Sequence, residues 1–266
     1  MLTNLTTIPW LDNGMLAQLP VRMGMRRIAP ANRFPDGSIL YAAGDAKLQY
    51  DWTLRYENLN DQEWQRFADF FIATQSASAS FAFYDPLGNM LAHSANLQSS
   101  VWIAPSALVI SPYVDSHVAG AFILTNPTSQ PLTLSQSASV AGAFAVCFSV
   151  LSRWEGGASV ALSLADGGTT ETRTFQAGAW TRNHIVKRGV ESTVSRTAAI
   201  VVPPHTQIIV AAPQLEIASI PNAYVETGVH SGVFASAWLS QKQIELQSPA
   251  PGAHSIILHI ESIRQS

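Results

Sequence analysis

The stretch "LQYDWTLRYENLNDQEWQRFADFF", Leu48 to Phe71, changes its hydrophobic period halfway along. Up to Tyr56 the large apolar and aromatic residues fall at every second position: Leu48, Tyr50, Trp52, Leu54 and Tyr56. Neighbouring side chains of a strand point to opposite faces, so this pattern predicts a strand with one buried face. From Asn60 the spacing lengthens. Trp64, Phe67 and Phe71 recur at helical intervals, Phe70 widens the stripe, and Asp61, Gln65, Arg66 and Asp69 face elsewhere. Asn60 with Glu63 three positions on has the form of a capping box, which fixes the helix start. A short helix with so aromatic a face must lie on something apolar, and the preceding strand points to a sheet.

The segments around this stretch extend it. "FAFYDPLGN" places Phe81 and Phe83 on one face of a second strand, before a turn at Asp85-Pro86-Leu87-Gly88. Near the far end, "QKQIELQ" and "HSIILHIES" read as two antiparallel strands across "SPAPGA". A hairpin alone is marginal in water. The two strands are therefore expected to return to the first unit and complete a mixed sheet, which makes the middle of the chain an insertion. That middle is a series of short apolar or alternating runs punctuated by Gly, Pro, Ser and Asn, such as "AGAFILTN", "GAFAVCFSVLSRW" and "AAIVVPPHTQIIVAAPQLEI". Such spacing predicts a β-sandwich or jelly roll. In "LADGGTTE" Gly167 and Gly168 can supply the positive φ of a hairpin turn. The fold expected is mainly β: a hub of residues 1–90 and 228–266 with one packed helix, and an inserted jelly roll of residues 91–227.

Composition narrows the function. Of the 266 residues 47% are hydrophobic and only 12% charged, and the net charge is -3. That is no electrostatic footprint for nucleic acid, and no specific nucleic-acid partner is expected. No run approaches the roughly 18 apolar residues of a membrane span, so no membrane insertion is expected. The N-terminus "MLTNLTTIPWLDNG" lacks a basic n-region and an apolar core, which points to folding in the cytoplasm. Cys147 is the one cysteine, which rules out an internal disulfide framework and reads as a small buried hydrophobe.

Two sets of phrases carry a resemblance. "LRYENLNDQEWQRFADFF" followed by "FAFYDPLGNML" resembles the N-terminal segment of tail proteins of long-tailed bacteriophages and related prophage particles. The middle resembles the carbohydrate-binding-module-like jelly roll that such proteins often carry. Its phrases are Ser94, Leu97 and Trp102 in "SANLQSSVW", the strand Phe148 to Trp154, Trp180 with Arg182, and Pro213, Gln214, Leu215, Glu216, Tyr224 and Thr227. The distal tail protein is the family member it is most similar to. The resemblance implies a tail-tube-like hub, a ring of copies (six in the family), contacts with tail tube and tail hub or fibre proteins, and a place in the virion tail. The stretch "GMLAQLPVRMGMRRIAPANRFPDGSILYAAGD", Gly14 to Asp45, departs from the family pattern.

Candidate site residues follow from chemistry. Aromatic faces meet the apolar faces of sugars. Trp154 beside "EGG", Tyr113 in "SPYVDSH", Trp102 and Trp180 are therefore the candidates for a glycan patch, with Trp154 the one expected to be exposed and core or rim packing as the competing role. Arg22, Arg26, Arg27 and Arg33 form the one basic cluster and are expected to dock on a neighbouring subunit or tube protein. Gln214 and Glu216 share a strand face, where hydrogen bonding to a nearby loop competes with calcium binding. His254 and His259 lie five apart on a strand and cannot share a metal. No H-E-x-x-H, G-x-S-x-G, Walker A or EF-hand pattern is present, so no enzyme, cofactor or metal site is expected. Two alternatives to the structural role remain open: a lectin-like receptor-binding decoration, and a glycan-active enzyme, for which no acid pair stands out.

Overall fold

The computed structural model describes residues 7–28, 31–41, 47–74, 79–154, 159–176 and 178–265. The chain is mainly β, with one helix among the described residues, and it divides into two compact units. One contains Met1–Leu11, Ala17–Phe83 and Phe234–Ser266; the other contains Asp12–Leu16 and Tyr84–Val233. The sequence-expected borders, 90 and 228, differ from these by a few residues.

The first unit holds β1 (Arg22–Ile28), β2 (Ala31–Arg33), β3 (Ile39–Tyr41), β4 (Lys47–Leu59), α1 (Asp61–Thr74) and β5 (Phe81–Tyr84). Nine strands of the second unit follow: β6 (Val109–Tyr113), β7 (Ala121–Asn126), β8 (Leu132–Ala138), β9 (Ala145–Trp154), β10 (Val160–Ala165), β11 (Thr170–Phe175), β12 (Gly178–Arg188), β13 (Arg196–Val202) and β14 (Thr206–Glu216). The chain then returns to the first unit with β15 (Val233–Leu239), β16 (Gln247–Ala250) and β17 (Ala253–Gln265).

The hub sheet runs β1-β4-β17-β15-β5, with β16 also on β17. The decisive ladder is β17 on β4, which aligns antiparallel from His254↔Leu59 to Gln265↔Lys47 and so joins the two ends of the chain in one sheet. Its register slips between His254 and Ile256, where β4 carries Asn58 in the left-handed region at φ 56°. The β1–β4, β15–β17, β16–β17 and β17–β4 ladders are antiparallel, and a parallel bridge joins Thr7 to Ala82 of β5. One expectation needs correction here: "QKQIELQ" is not a strand over its length. β16 begins only at Gln247, and β15 supplies the partner of the second half of β17. Gln241 instead spends its side chain on β17, donating to the Ile257 carbonyl at 3.0 Å and accepting from the His259 N–H at 2.7 Å.

The period-two pattern of β4 places Trp52, Leu54 and Tyr56 in the core. Trp52 meets Phe83 and Phe234, each at 4.7 Å between ring centroids, and Tyr50 at 5.8 Å. α1 covers this sheet through Phe67 against Tyr56 (4.5 Å) and Phe70 against Phe81 (4.9 Å). The buried stripe is Glu63, Phe67 and Phe70, whereas Trp64 and Phe71 sit half-buried on its flanks. Capping rotates the stripe: Glu63 accepts from the Asn60 N–H at 3.1 Å while its own N–H donates to Asn60 Oδ1 at 2.9 Å, which turns Glu63 inward. Asn60→Ala is expected to cost about 1 kcal/mol, read from urea melts, with most of the loss from the uncapped Glu63 N–H.

The second unit is a β-sandwich of jelly-roll type. One sheet runs β11-β10-β13-β8 and the other β12-β9-β14-β7-β6, with antiparallel ladders throughout. Apart from the neighbouring pairs β6–β7 and β10–β11, successive strands alternate between the sheets, and β13 packs on β14 and β7 while β10 packs on β12 and β9. Phe148, Val150, Leu162, Leu164, Ile185, Ile200 and Ile208 fill the space between. At the β10–β11 turn Gly167 takes φ +84°, while Gly168 donates its N–H to Asp166 Oδ1 instead. Burial pushes the Cys147 thiol up to about 12.

Arg196 is fully buried and donates from Nη2 to the carbonyls of Gly142 (2.9 Å) and Phe144 (3.3 Å). It fits because residue 189 is glycine: a Cβ there would lie 1.9 Å from Nη2.

Candidate functional site

The outer face of the five-stranded sheet is the candidate site. Along β7, β9 and β14 the burial alternates, with Leu124, Val150 and Ile208 inward and Ile123, Leu151, Arg153 and Ile209 half-exposed. The registers Ser111↔Ile123, Ile123↔Ile209 and Ile209↔Arg153 carry one face across four strands, and Tyr113 lies two residues from Ser111 on the same face. This gives a mildly apolar floor of Ile123, Ile209 and Leu151.

Asp115, in the β6–β7 loop, organises the rim. Trp180 Nε1 donates to its Oδ2 at 3.2 Å, and Arg153 Nη1 lies 3.7 Å from the same oxygen. The N–H groups of His117 and Val118 donate to Oδ1 at 2.8 and 3.2 Å. These donors, the His117 N–H foremost, hold the Asp115 carboxyl below the usual carboxylate range against an opposing desolvation. A carboxylate fixed this way orients an indole edge and a guanidinium while leaving the indole ring half-exposed.

Two of the four aromatic candidates lie elsewhere. Trp154 is 4% exposed, contrary to the exposure expected of it. β9 continues through residue 154, and even numbering puts Trp154 on the inner face with Phe148 and Val150, so its ring faces the core rather than a ligand. Trp102 is 6% exposed and donates Nε1 to the His93 carbonyl at 3.2 Å, an anchoring role. Tyr113 and Trp180 remain half-exposed on the outer face side. Asp115 and Arg153 were missed in the sequence. The signal was present for Arg153, since it alternates with the aromatic Trp154, but nothing local distinguishes Asp115 from any loop acid.

The other end of this face is closed by the loop after β14. Gln214 donates to Glu216 Oε1 (3.0 Å) and the Ala223 carbonyl (3.2 Å), and accepts from the Val225 N–H (2.7 Å). Glu216 accepts from the Asn222 N–H at 3.0 Å and from Asn222 Nδ2 at 2.6 Å. The loop-bonding role is thus the one the pair performs. Arg182 lies beneath, donating to Ser149 Oγ (3.1 Å) and the Ala212 carbonyl (2.7 Å), with Tyr224 5.9 Å from its guanidinium carbon. Burial lowers its pKa while Glu216 opposes that shift.

Asn89 ties the start of the sandwich to its end. Fully buried, it donates to the carbonyls of Pro213 (3.0 Å) and Val225 (3.1 Å) and accepts from the N–H groups of Leu91 and Leu215, both at 3.1 Å. Thr227 Oγ1 donates to the Leu91 carbonyl at 2.6 Å, and Ser94 Oγ lies 2.8 Å from the Tyr224 hydroxyl. Ser94, Pro213, Leu215, Tyr224 and Thr227, from the opening and closing jelly-roll phrases, therefore meet with Asn89 in one polar clasp.

Of the basic cluster, Arg22, Arg26 and Arg27 are exposed on β1, and the side chain of Arg33 lies outside the described residues. Among the described residues no group of three or more His, Cys, Asp or Glu could hold a metal ion. Among the described residues no helix is long and apolar enough to cross a membrane.

No protein-family model matches the sequence, and no curated protein does. Among solved structures, 49% of the chain is similar to the enzymatically active domain of tailspike protein 4 of bacteriophage CBA120, at 11% identity and a TM-score of 0.39, with 21% of that chain covered. A family 61 carbohydrate-binding module, solved with β-1,4-galactotriose, aligns over 49% of this chain and 99% of its own at 18% identity and a TM-score of 0.38. The CBM22-1 xylan-binding domain of Paenibacillus barcinonensis Xyn10C aligns over 50% and 96%, at 12% identity and a TM-score of 0.39. At these scores the likenesses carry no functional assignment to this chain.

Proposed function

We infer that the chain is a non-enzymatic structural subunit of a phage or phage-like tail, forming a ring at the distal end of the tail tube. The observation that carries this reading is the β4–β17 ladder, which makes the chain's two ends one scaffold around an inserted sandwich. The segments that resemble tail proteins, Leu54–Phe71 and Phe81–Leu91, supply the second half of β4, most of α1 and all of β5. A subunit whose interface is heterologous and closes on rotation gives a cyclic oligomer. Native mass measurement on the purified chain tests it, with a particle of several copies, six by resemblance, or co-assembly with tube protein expected. A strictly monomeric chain that leaves tube protein untouched would sink the reading.

A second reading, a lectin-like decoration, is favoured by the outer face with Trp180, Tyr113, Asp115 and Arg153. Trp180→Ala is expected to weaken glycan binding by about thirtyfold or more, as truncation of a central aromatic anchor does, while leaving the melting temperature within a degree or two. Glycan-array binding with parallel thermal melts reads both. Equal binding by wild type and variant would remove Trp180 from any such site.

A further inference from the structure

β1 is an edge with unusual properties. Among the described residues its one strand partner is β4, so its other side presents unpaired N–H and C=O groups. The opposite end of the sheet differs, because β5 is buried and carries the Thr7↔Ala82 bridge beyond β15. β16, exposed along its length, has β17 as its one strand partner among the described residues, so β1 is one of two free edges there. What sets β1 apart is charge: Arg22, Arg26 and Arg27 are exposed on it, and on the methionine face Met23 is 42% exposed and Met25 61%.

Alternation sorts its side chains. Arg22, Gly24 and Arg26 share the face of Thr53, Asp51 and Gln49, whereas Met23 and Met25 share the face of Trp52 and Tyr50. A strand added to β1 would lie about 4.8 Å from it, and about twice and three times that from β4 and β17. Arg22, Arg26 and Arg27 would be its nearest cations, Arg27 on the face of the methionines. The Asp51 carboxylate reaches over Gly24, where a Cβ would lie 2.5 Å from its Oδ1, and is the nearest anion. Glu261 lies two strands in, beyond a Debye length in physiological salt. Three arginines against one near carboxylate leave the edge cationic. Two β1 edges paired with each other would set arginines against arginines, which is unfavourable.

We propose that β1 is a strand-addition site for an extended acidic segment of another protein, one that alternates carboxylates toward Arg22 and Arg26 with apolar residues beside Met23 and Met25. Backbone pairing supplies affinity in such complexes, and the alternating side chains supply selectivity. The proposal adds a partner chemistry to the assembly reading but stands on β1 alone, so it can fail while a ring still forms, and the reverse.

The test uses the full chain and three labelled heptapeptides alternating valine with glutamate, lysine or serine, titrated by fluorescence anisotropy at low salt. The glutamate peptide is expected to bind about tenfold tighter than the lysine peptide, as two exposed cross-strand pairs would give. The Arg22→Glu/Arg26→Glu variant should reverse that order, and Arg22→Gln/Arg26→Gln should level it. Absent or charge-independent peptide binding overturns the proposal. So does self-association that the double variants abolish, since the edge would then belong to a second copy. Preference for a single-stranded oligonucleotide over the glutamate peptide overturns it in favour of a nucleic-acid surface.

Discussion

Trp52→Ala is expected to destabilise the hub by about 4 kcal/mol, the scale for removing a buried tryptophan. Trp52 is 1% exposed and its ring touches Phe83 from β5 and Phe234 from β15, so it ties the β15–β5 end of the sheet to β4. Alanine leaves a void between aromatic rings that are themselves held by strand register and cannot collapse inward. A loss of that size is a large share of a typical domain's net stability. Urea unfolding followed by hydrogen exchange of the β4 and β17 amides reads it, and Met25→Ala on the exposed strand β1 serves as the control, expected within about 0.5 kcal/mol of wild type. A cost below about 1.5 kcal/mol for Trp52→Ala would mean that this aromatic cluster is not the hub's core.

Asn89→Ala comes next, at about 3 kcal/mol. The substitution strands two carbonyls, those of Pro213 and Val225, and two N–H groups, those of Leu91 and Leu215. Each orphaned buried group costs about 1–3 kcal/mol, and water entering the vacated space offsets part of the sum. Asn89→Asp discriminates the cause. A carboxylate can still accept from both N–H groups but sets its charge against two carbonyl oxygens, so it is expected to be no better than alanine. If Asn89→Asp were neutral, the donor half of the clasp would carry no weight.

The sequence revealed most where a period was sustained. β4 was legible because five apolar positions alternate without interruption, and the helix start because Asn60 and Glu63 satisfy each other locally. The jelly-roll strands were legible as a class, since Gly and Pro punctuate them at regular intervals. Parity failed where a strand's end was misplaced. Trp154 is expected to be exposed because glycines follow it, but β9 runs through it and its parity puts it inside. The stripe of α1 was misjudged because a polar residue, Glu63, takes an inward position to cap Asn60, a role hydrophobicity does not register. Asp115 was invisible because its partners, Arg153 and Trp180, are remote in sequence and meet it only after the sheet has formed. The free edge at β1 was likewise beyond reach, since it depends on strand order rather than on any local pattern.

Gly189 and Arg196 hold one further lesson. Because the guanidinium fills the volume that any side chain at 189 would need, the two positions behave as a single unit of inheritance. A drifting lineage could enlarge residue 189 only after trading the arginine for something shorter, and the order of those two steps is fixed: shrink first, then grow.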